Sequence, residues 1–419
     1  MNATSLITAY QRSLVVFAFV LGGLTWRLWT PQTVFPQVPL FEALITAPPW
    51  LDWLAISTLV GSLAACLFAT RTGRYRAVTC CSITICTGTL IALDQHRCQP
   101  WAYQFAIVAL VLALTQDRQA LPLMRALVIS IYIYSALGKL DYQFLFTVGQ
   151  QFLQTLGSLF GLDSRSFAEP IRLSLVACFP LIELAIGIGL ARSSTRRFAA
   201  VAAVVMHVVL MLILGPAGLN HHWGVLGWNA FFAIQAILLF WVKPASAETQ
   251  QTDVRTKFAV RSFLANAIIL IVIVLPVGER AGVVDHWLSW ALYAPHSSRA
   301  TIDVSATALD RLPAELRRIV DSSNSDELWI EVPISRWSLE QLAAPIYPQA
   351  RFQVGVAEHL ARGMSEFDLR VTIQSTSSRF TGARKRIEIT GSSALRNAES
   401  FFRLNCHPRL LPKLSNGDH

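Results

Sequence analysis

Charge is what this chain has least of. Lys, Arg, Asp and Glu make up only 15% of its 419 residues, where soluble domains carry about 25%. The deficit is confined to the first two thirds, so the 53% hydrophobic content excludes a wholly soluble chain and reads as a membrane protein with a soluble C-terminal part. Cysteine is also scarce. Seven scattered residues make neither a disulfide framework nor a zinc site, and with no metal-spaced cluster no metal is expected. The formal net charge of +9 raises the question of nucleic acid. No basic stripe interleaved with aromatics accompanies it, and the Lys and Arg residues fall in short loops where membrane topology accounts for them, so no nucleic-acid partner is expected. The N-terminal apolar run lacks a small-residue cleavage site and continues into Trp26-Arg27-Leu28-Trp29, which reads as an uncleaved first span.

What is present is a series of long apolar runs. A bilayer core about 30 Å thick needs about 20 apolar residues in a helix, and about nine segments meet that test: 13–30, 50–70, 76–93, 101–116, 121–138, 171–191, 198–215, 223–242 and 258–277. Trp26, Trp29, Trp50, Trp53, Trp101, Trp223 and Trp241 lie near span ends, as aromatic belts do. Arg71, Arg74 and Arg76, Arg118 and Arg125, Arg192, Arg196 and Arg197, and Lys243, Arg255, Lys257 and Arg261 mark alternate loops as cytoplasmic. The expected arrangement is a multi-pass protein of the inner (cytoplasmic) membrane, its N-terminus cytoplasmic and its C-terminal domain extracytoplasmic.

The predicted fold is thus an all-α polytopic bundle over 1–280 followed by a small soluble α+β domain over 300–419, with an amphipathic interfacial segment over 281–299 between them. Leu328–Ile334, Phe367–Gln374 and Lys385–Thr390 alternate as half-buried strands; Asp310–Asp321, Ser338–Ala344 and Ser393–Leu404 read as helices. Phe144–Phe160 reads as an interfacial or re-entrant helix, and 244–256 as a solvated linker.

Ionisable residues at membrane depth are costly and therefore candidate functional groups. Tyr132, Ser135 and Lys139 fall at i, i+3 and i+7, on one helical face. A lysine against apolar walls has its charged form disfavoured, which makes it a usable base; alternatively Lys139 snorkels beside Asp141 and anchors its helix. Glu183 lies mid-span and His207 is equally deep in the next span, so the two are expected to pair, for function or for packing. Asp94, Asn220 and His221 come out on the outer side with Lys139, which suggests one outward-opening site. Cys98 and Cys406 share that side, either as a disulfide stapling domain to bundle or as two free thiols.

The run YIYSALGKLDYQF around Lys139, the upstream LDQHRCQPWAYQF, and the later order of Glu183, basic turn, His207 and Gly-rich outer turn resemble the membrane domain of vitamin K-dependent γ-carboxylases and their bacterial HTTM relatives. The pattern is equally similar to MauE/DoxX-type redox-associated membrane proteins. The likeness covers most of 50–242. It implies a helical bundle with an outward cavity for an isoprenoid quinone, with Lys139 as catalytic base; by their own positions in the sequence Glu183 and His207 are further catalytic candidates, and Tyr132, Ser135, Asp94, Asn220 and His221 are candidates to line the quinone site. The MauE/DoxX likeness implies instead a non-catalytic partner that helps an extracytoplasmic client protein mature. The chain departs from the carboxylases at Gln99, near which the family has a histidine, and in a 300–419 domain smaller than their lumenal one. These two departures set the chain apart from the carboxylases' full reaction.

Overall fold

The computed structural model describes residues 2–68, 73–242, 255–320 and 328–410. Arg71, Lys243 and all but the last two residues of the 244–256 linker lie outside them. The chain opens with α1 (Ala3–Leu24), whose first turn is capped by the Asn2 side chain accepting from Ser5 N–H at 2.8 Å. A short α2 (Trp26–Trp29) follows. Then come α3 (Trp50–Phe68), α4 (Arg74–Leu93), α5 (Pro100–Leu114) and α6 (Asp117–Lys139). The 144–160 stretch folds as two short helices, α7 (Tyr142–Phe146) and α8 (Val148–Ser158), before α9 (Glu169–Ala191), α10 (Arg196–Leu214), α11 (Trp223–Ala236) and α12 (Arg255–Val274). A π-helical segment, Ile237–Trp241, extends α11.

Among the described residues, eight helices are long and apolar enough to cross a membrane. Their lengths of 19 to 23 residues suit a multi-pass arrangement in a lipid bilayer. The expected span over 101–116 is the shorter α5, whose 15 residues rise only about 22 Å. It still connects the two ends of the bundle. Arg76 and Asp117 pair at 2.5 Å where α4 and α6 begin, and Gln11 in the first half of α1 donates to Cys66 O near the end of α3. The start of α3 and the end of α4 meet at the opposite end through Asp52 and Arg97. The C-terminal end of α6 is there too, because Arg379 of the C-terminal domain donates to the carbonyls of Leu137 and Leu140 at 2.8 Å. The start of α1 and the C-terminal domain therefore occupy opposite ends of the bundle.

The domain is built on a four-stranded antiparallel sheet of order β2-β1-β3-β4: β1 (Arg299–Ser305), β2 (Trp329–Glu331), β3 (Leu369–Gln374) and β4 (Arg386–Thr390). Strand β1 pairs Thr301 with Thr372 on β3 and Val304 with Ile330 on β2. The short helices α13 (Ala314–Arg317), α14 (Ile334–Leu342) and α16 (Ser392–Arg396) surround it, and α15 (Ala350–Ala361) packs across it. Strand β1 and helix α15 were not predicted, and α13 is far shorter than the helix expected over 310–321.

The domain shares its core with the end of the bundle. Leu28, Phe35, Val38, Leu90 and Ala102 are buried in one cluster with Ile302, Trp337, Phe352 and Val371. At its centre Asp52 pairs with Arg97 at 2.5 Å and with Arg409 at 2.8 Å, and all three side chains are fully buried. Gly355 on α15 comes so close that an added Cβ would lie 2.6 Å from Cys406 O and 2.7 Å from Val38. The 281–299 segment is a run of turns held between bundle and domain, with Trp290 at 0% exposure stacked on Tyr103.

Two consequences are testable. Asp52→Ala leaves two buried guanidiniums without a counter-charge and is expected to cost roughly 3–5 kcal/mol, read as a lowered thermal midpoint; an unchanged midpoint would remove Asp52 from the seat. Burial lowers the affinity of His407 for its proton, but Glu358 at 2.7 Å and Glu399 at 3.2 Å outweigh it and raise the imidazole above its ordinary 6.5. Stability from this contact is therefore complete below pH 6.5 and lost as pH rises through the raised value. Amide exchange over 405–410 should speed up across that window, and a flat profile would contradict it.

Candidate functional site

Tyr132, Ser135 and Lys139 do share one face of α6, and that face meets α9, α10 and α11. Close approach to α9 is possible because Gly187 presents no side chain: a Cβ there would lie 3.1–3.2 Å from Ile133 and Tyr132. The Lys139 ammonium donates to Glu183 Oε2 of α9 at 2.7 Å and to its own-helix Ser135 Oγ at 2.6 Å. Both charged side chains are nearly buried, at 8% and 12% exposure. Glu183 was expected to pair with His207; it pairs with Lys139 instead.

His207 belongs to a separate chain of hydrogen bonds. Its Nε2 is 2.8 Å from the Tyr132 hydroxyl and its Nδ1 is 2.9 Å from Asn229 Oδ1 of α11. Asn229 Nδ2 donates to Val225 O, so its Oδ1 faces the imidazole as an acceptor. His207 therefore carries its proton on Nδ1, and the Tyr132 O–H donates to Nε2. Phe232 stacks on the imidazole at 5.0 Å.

These groups line one cavity of about 70 Å³ together with the aromatic walls Phe144, Phe152, Phe179 and Trp228. Its roof is Leu292 and Tyr293 from the buried turn segment. Tyr293 has φ +55° and Trp290 φ +57°, a left-handed backbone that bulky residues rarely adopt. A larger apolar groove of about 320 Å³ lies elsewhere, between α1, α3, α4 and α5, but no ionisable side chain lines it.

Five of the expected site residues, Lys139, Glu183, His207, Tyr132 and Ser135, thus come together. The others do not join them. Asp94 is buried beneath the domain, where its carboxylate accepts from the backbone N–H groups of Val38 and His96; burial pushes it up to about 6. His221 is exposed and reaches only the outer side of Tyr293, with ring centres 6.4 Å apart, and Asn220 is an exposed turn residue at φ +51°. Cys98 and Cys406 form no disulfide. Both are free, buried thiols, pushed up to about 12 by burial.

Sequence reasoning missed Asn229, because it screened the spans for ionisable residues only. It also missed a buried trio at the bundle–domain junction: Glu279 Oε1 lies 3.1 Å from His286 Nδ1 and 2.9 Å from His296 Nε2. Their ligand atoms lie within 4.8 Å of one another, close enough for a metal. The Arg280 guanidinium, which can only donate, sits 3.4 Å from His296 Nδ1. That places the His296 proton on Nε2, toward Glu279.

Comparison with protein-family models, curated proteins and solved structures finds no match. The site is therefore read from its own chemistry. Glu183→Ala strands a buried ammonium and should cost roughly 3–5 kcal/mol, whereas the double change Lys139→Met with Glu183→Leu should recover most of it. Thermal midpoints in detergent check this, and additive losses would show that the two side chains are not coupled.

Proposed function

We propose that this chain is an integral membrane, quinone-linked redox or carboxylase-like enzyme whose proton-transfer group is the Lys139–Glu183 pair. The observation that carries the reading is that pair, 2.7 Å apart inside an aromatic-walled cavity at the domain end of the bundle. The lining suits an isoprenoid quinone in chemistry, with flat apolar walls and donors gathered on one side. In volume, 70 Å³ is small for a quinone ring, so admission requires the strained Tyr293 roof to move. A reduced quinone bound there would supply hydroxyl protons to the site, its two electrons passing to dioxygen as the acceptor. Lys139 would pass its Nζ proton to Glu183 Oε2, leaving a lone pair on the amine for the next proton. The Tyr132–His207–Asn229 chain would hold the opposite wall in one protonation pattern, and the closed roof would keep water out.

The basic residues Arg74, Arg76, Arg118, Arg196 and Arg197 gather at the end of the bundle away from the domain. By the positive-inside rule that end is cytoplasmic, which makes both the domain and the cavity extracytoplasmic in a cytoplasmic membrane.

A second reading, a MauE/DoxX-type partner for an extracytoplasmic client protein, draws on one observation. Lys139, Glu183, Tyr132 and His207 already satisfy one another, as a purely structural network would. The two readings separate on Lys139→Ala. Under the enzymatic reading, oxidation of an added short-chain quinol by the purified protein falls roughly 10²–10⁴-fold. Unaltered turnover would leave the enzyme without its base. Stoichiometric capture of one client without quinone uptake would favour the second reading.

A further inference from the structure

At the junction of domain and bundle, a polar cleft of about 640 Å³ opens between the corner at Arg280 and the β3–β4 connection. Arg280, Arg379, Arg384 and Lys385 line it with Ser377 and Ser378. The guanidiniums are held chiefly by backbone carbonyls. Arg379 donates to Leu137 O and Leu140 O, and Arg384 to Ser297 O and Ser375 O at 2.6 Å and to Pro295 O at 2.7 Å. Carbonyls orient a cation without cancelling its charge. The carboxylate contact at this edge is Arg280 with Asp141 at 3.0 Å and, more distantly, Glu279 at 3.7 Å.

A second observation points to a ligand. Ser377 is only 4% exposed, yet among the described residues its hydroxyl has no hydrogen-bond partner, and neither has Arg384 Nε. Buried polar groups are rarely left unpaired, so two unused donors lining one cleft beside fixed positive charge form an unsatisfied oxyanion cradle. We propose that this cleft binds an oxyanion, a phosphate or carboxylate group, that accepts from Ser377 Oγ–H and Arg384 Nε–H and is neutralised by Arg379 and Lys385. Burial and the nearby Arg299 push Arg384 down to about 10, with Asp141 opposing them. Because Arg379 grips the last carbonyls of α6, the cleft lies level with the end of the bundle, where a lipid headgroup or a soluble anion could each reach it. The inference is independent of the proton chemistry at Lys139.

The test uses the full chain, Ser377→Ala and Lys385→Gln, which remove a donor and a charge without cutting the Arg384 strap. Inorganic phosphate is titrated by calorimetry in detergent, and binding to phosphatidylcholine vesicles is compared with and without phosphatidylglycerol. Phosphate binding that weakens about tenfold in each variant supports a soluble-anion site. A phosphatidylglycerol preference lost in both variants supports a headgroup site. No phosphate binding and no lipid preference, or variants equal to the parent in both assays, would overturn the proposal. Lys139→Ala should bind as the parent does, which keeps this result separate from the enzymatic reading.

Discussion

Asp52 sits with no solvent access between two guanidiniums, Arg97 from the loop after α4 and Arg409 from the far end of the chain. Removing three charges from water is expensive, and it is tolerable only where attraction and hydrogen bonds are complete. Here they nearly are. Arg97 also donates to Leu28 O and Thr30 O, and Arg409 to Ala47 O and Pro48 O. This cluster ties the first connecting loop, two helix ends and the C-terminal segment to one point. Around it the domain and the bundle share a single core, and the turn segment between them has nowhere to go but inward. Asp285 in that segment is gripped by the Arg351 fork and by the Tyr347 hydroxyl, which fixes where Trp290 and Tyr293 fall.

The site inherits its character from that seating. Tyr293 roofs the cavity only because the segment carrying it is buried, and its left-handed backbone is sustained by the packing on both sides. Below the roof the polar groups form two closed systems, Lys139 with Glu183 and Tyr132 with His207 and Asn229. In a low-dielectric cavity each is strong when complete and costly when broken. A roof held in a left-handed backbone above the buried ion pair means that access to the pair would change if that one segment moved, while the bundle stayed as it is.

Much of this was legible in the sequence, for identifiable reasons. Tyr132, Ser135 and Lys139 align by helical spacing alone, and Glu183 and His207 stand out because nothing apolar excuses them. Partner choice was not legible. Whether Glu183 meets His207 or Lys139 depends on which helices pack together, and Gly187, which lets α9 approach α6, carries that information only once the neighbour is known. Asp94 was misplaced because shared sidedness was taken for proximity; it lies on the same end of the bundle but beneath the domain. Helix α15 was invisible because eleven of its twelve residues are buried, leaving no polar face to betray its period. In the 281–299 segment, apolar residues that face a domain and apolar residues that face lipid look alike in one dimension.

The proposed function requires the cavity beside Lys139 to admit a quinone ring. Solvent extraction and mass analysis of freshly purified protein tests it most directly, followed by an offer of short-chain quinone to whatever emerges empty. The account predicts isoprenoid quinone retained through purification, or taken up when offered. Protein that carries none and binds none would contradict it.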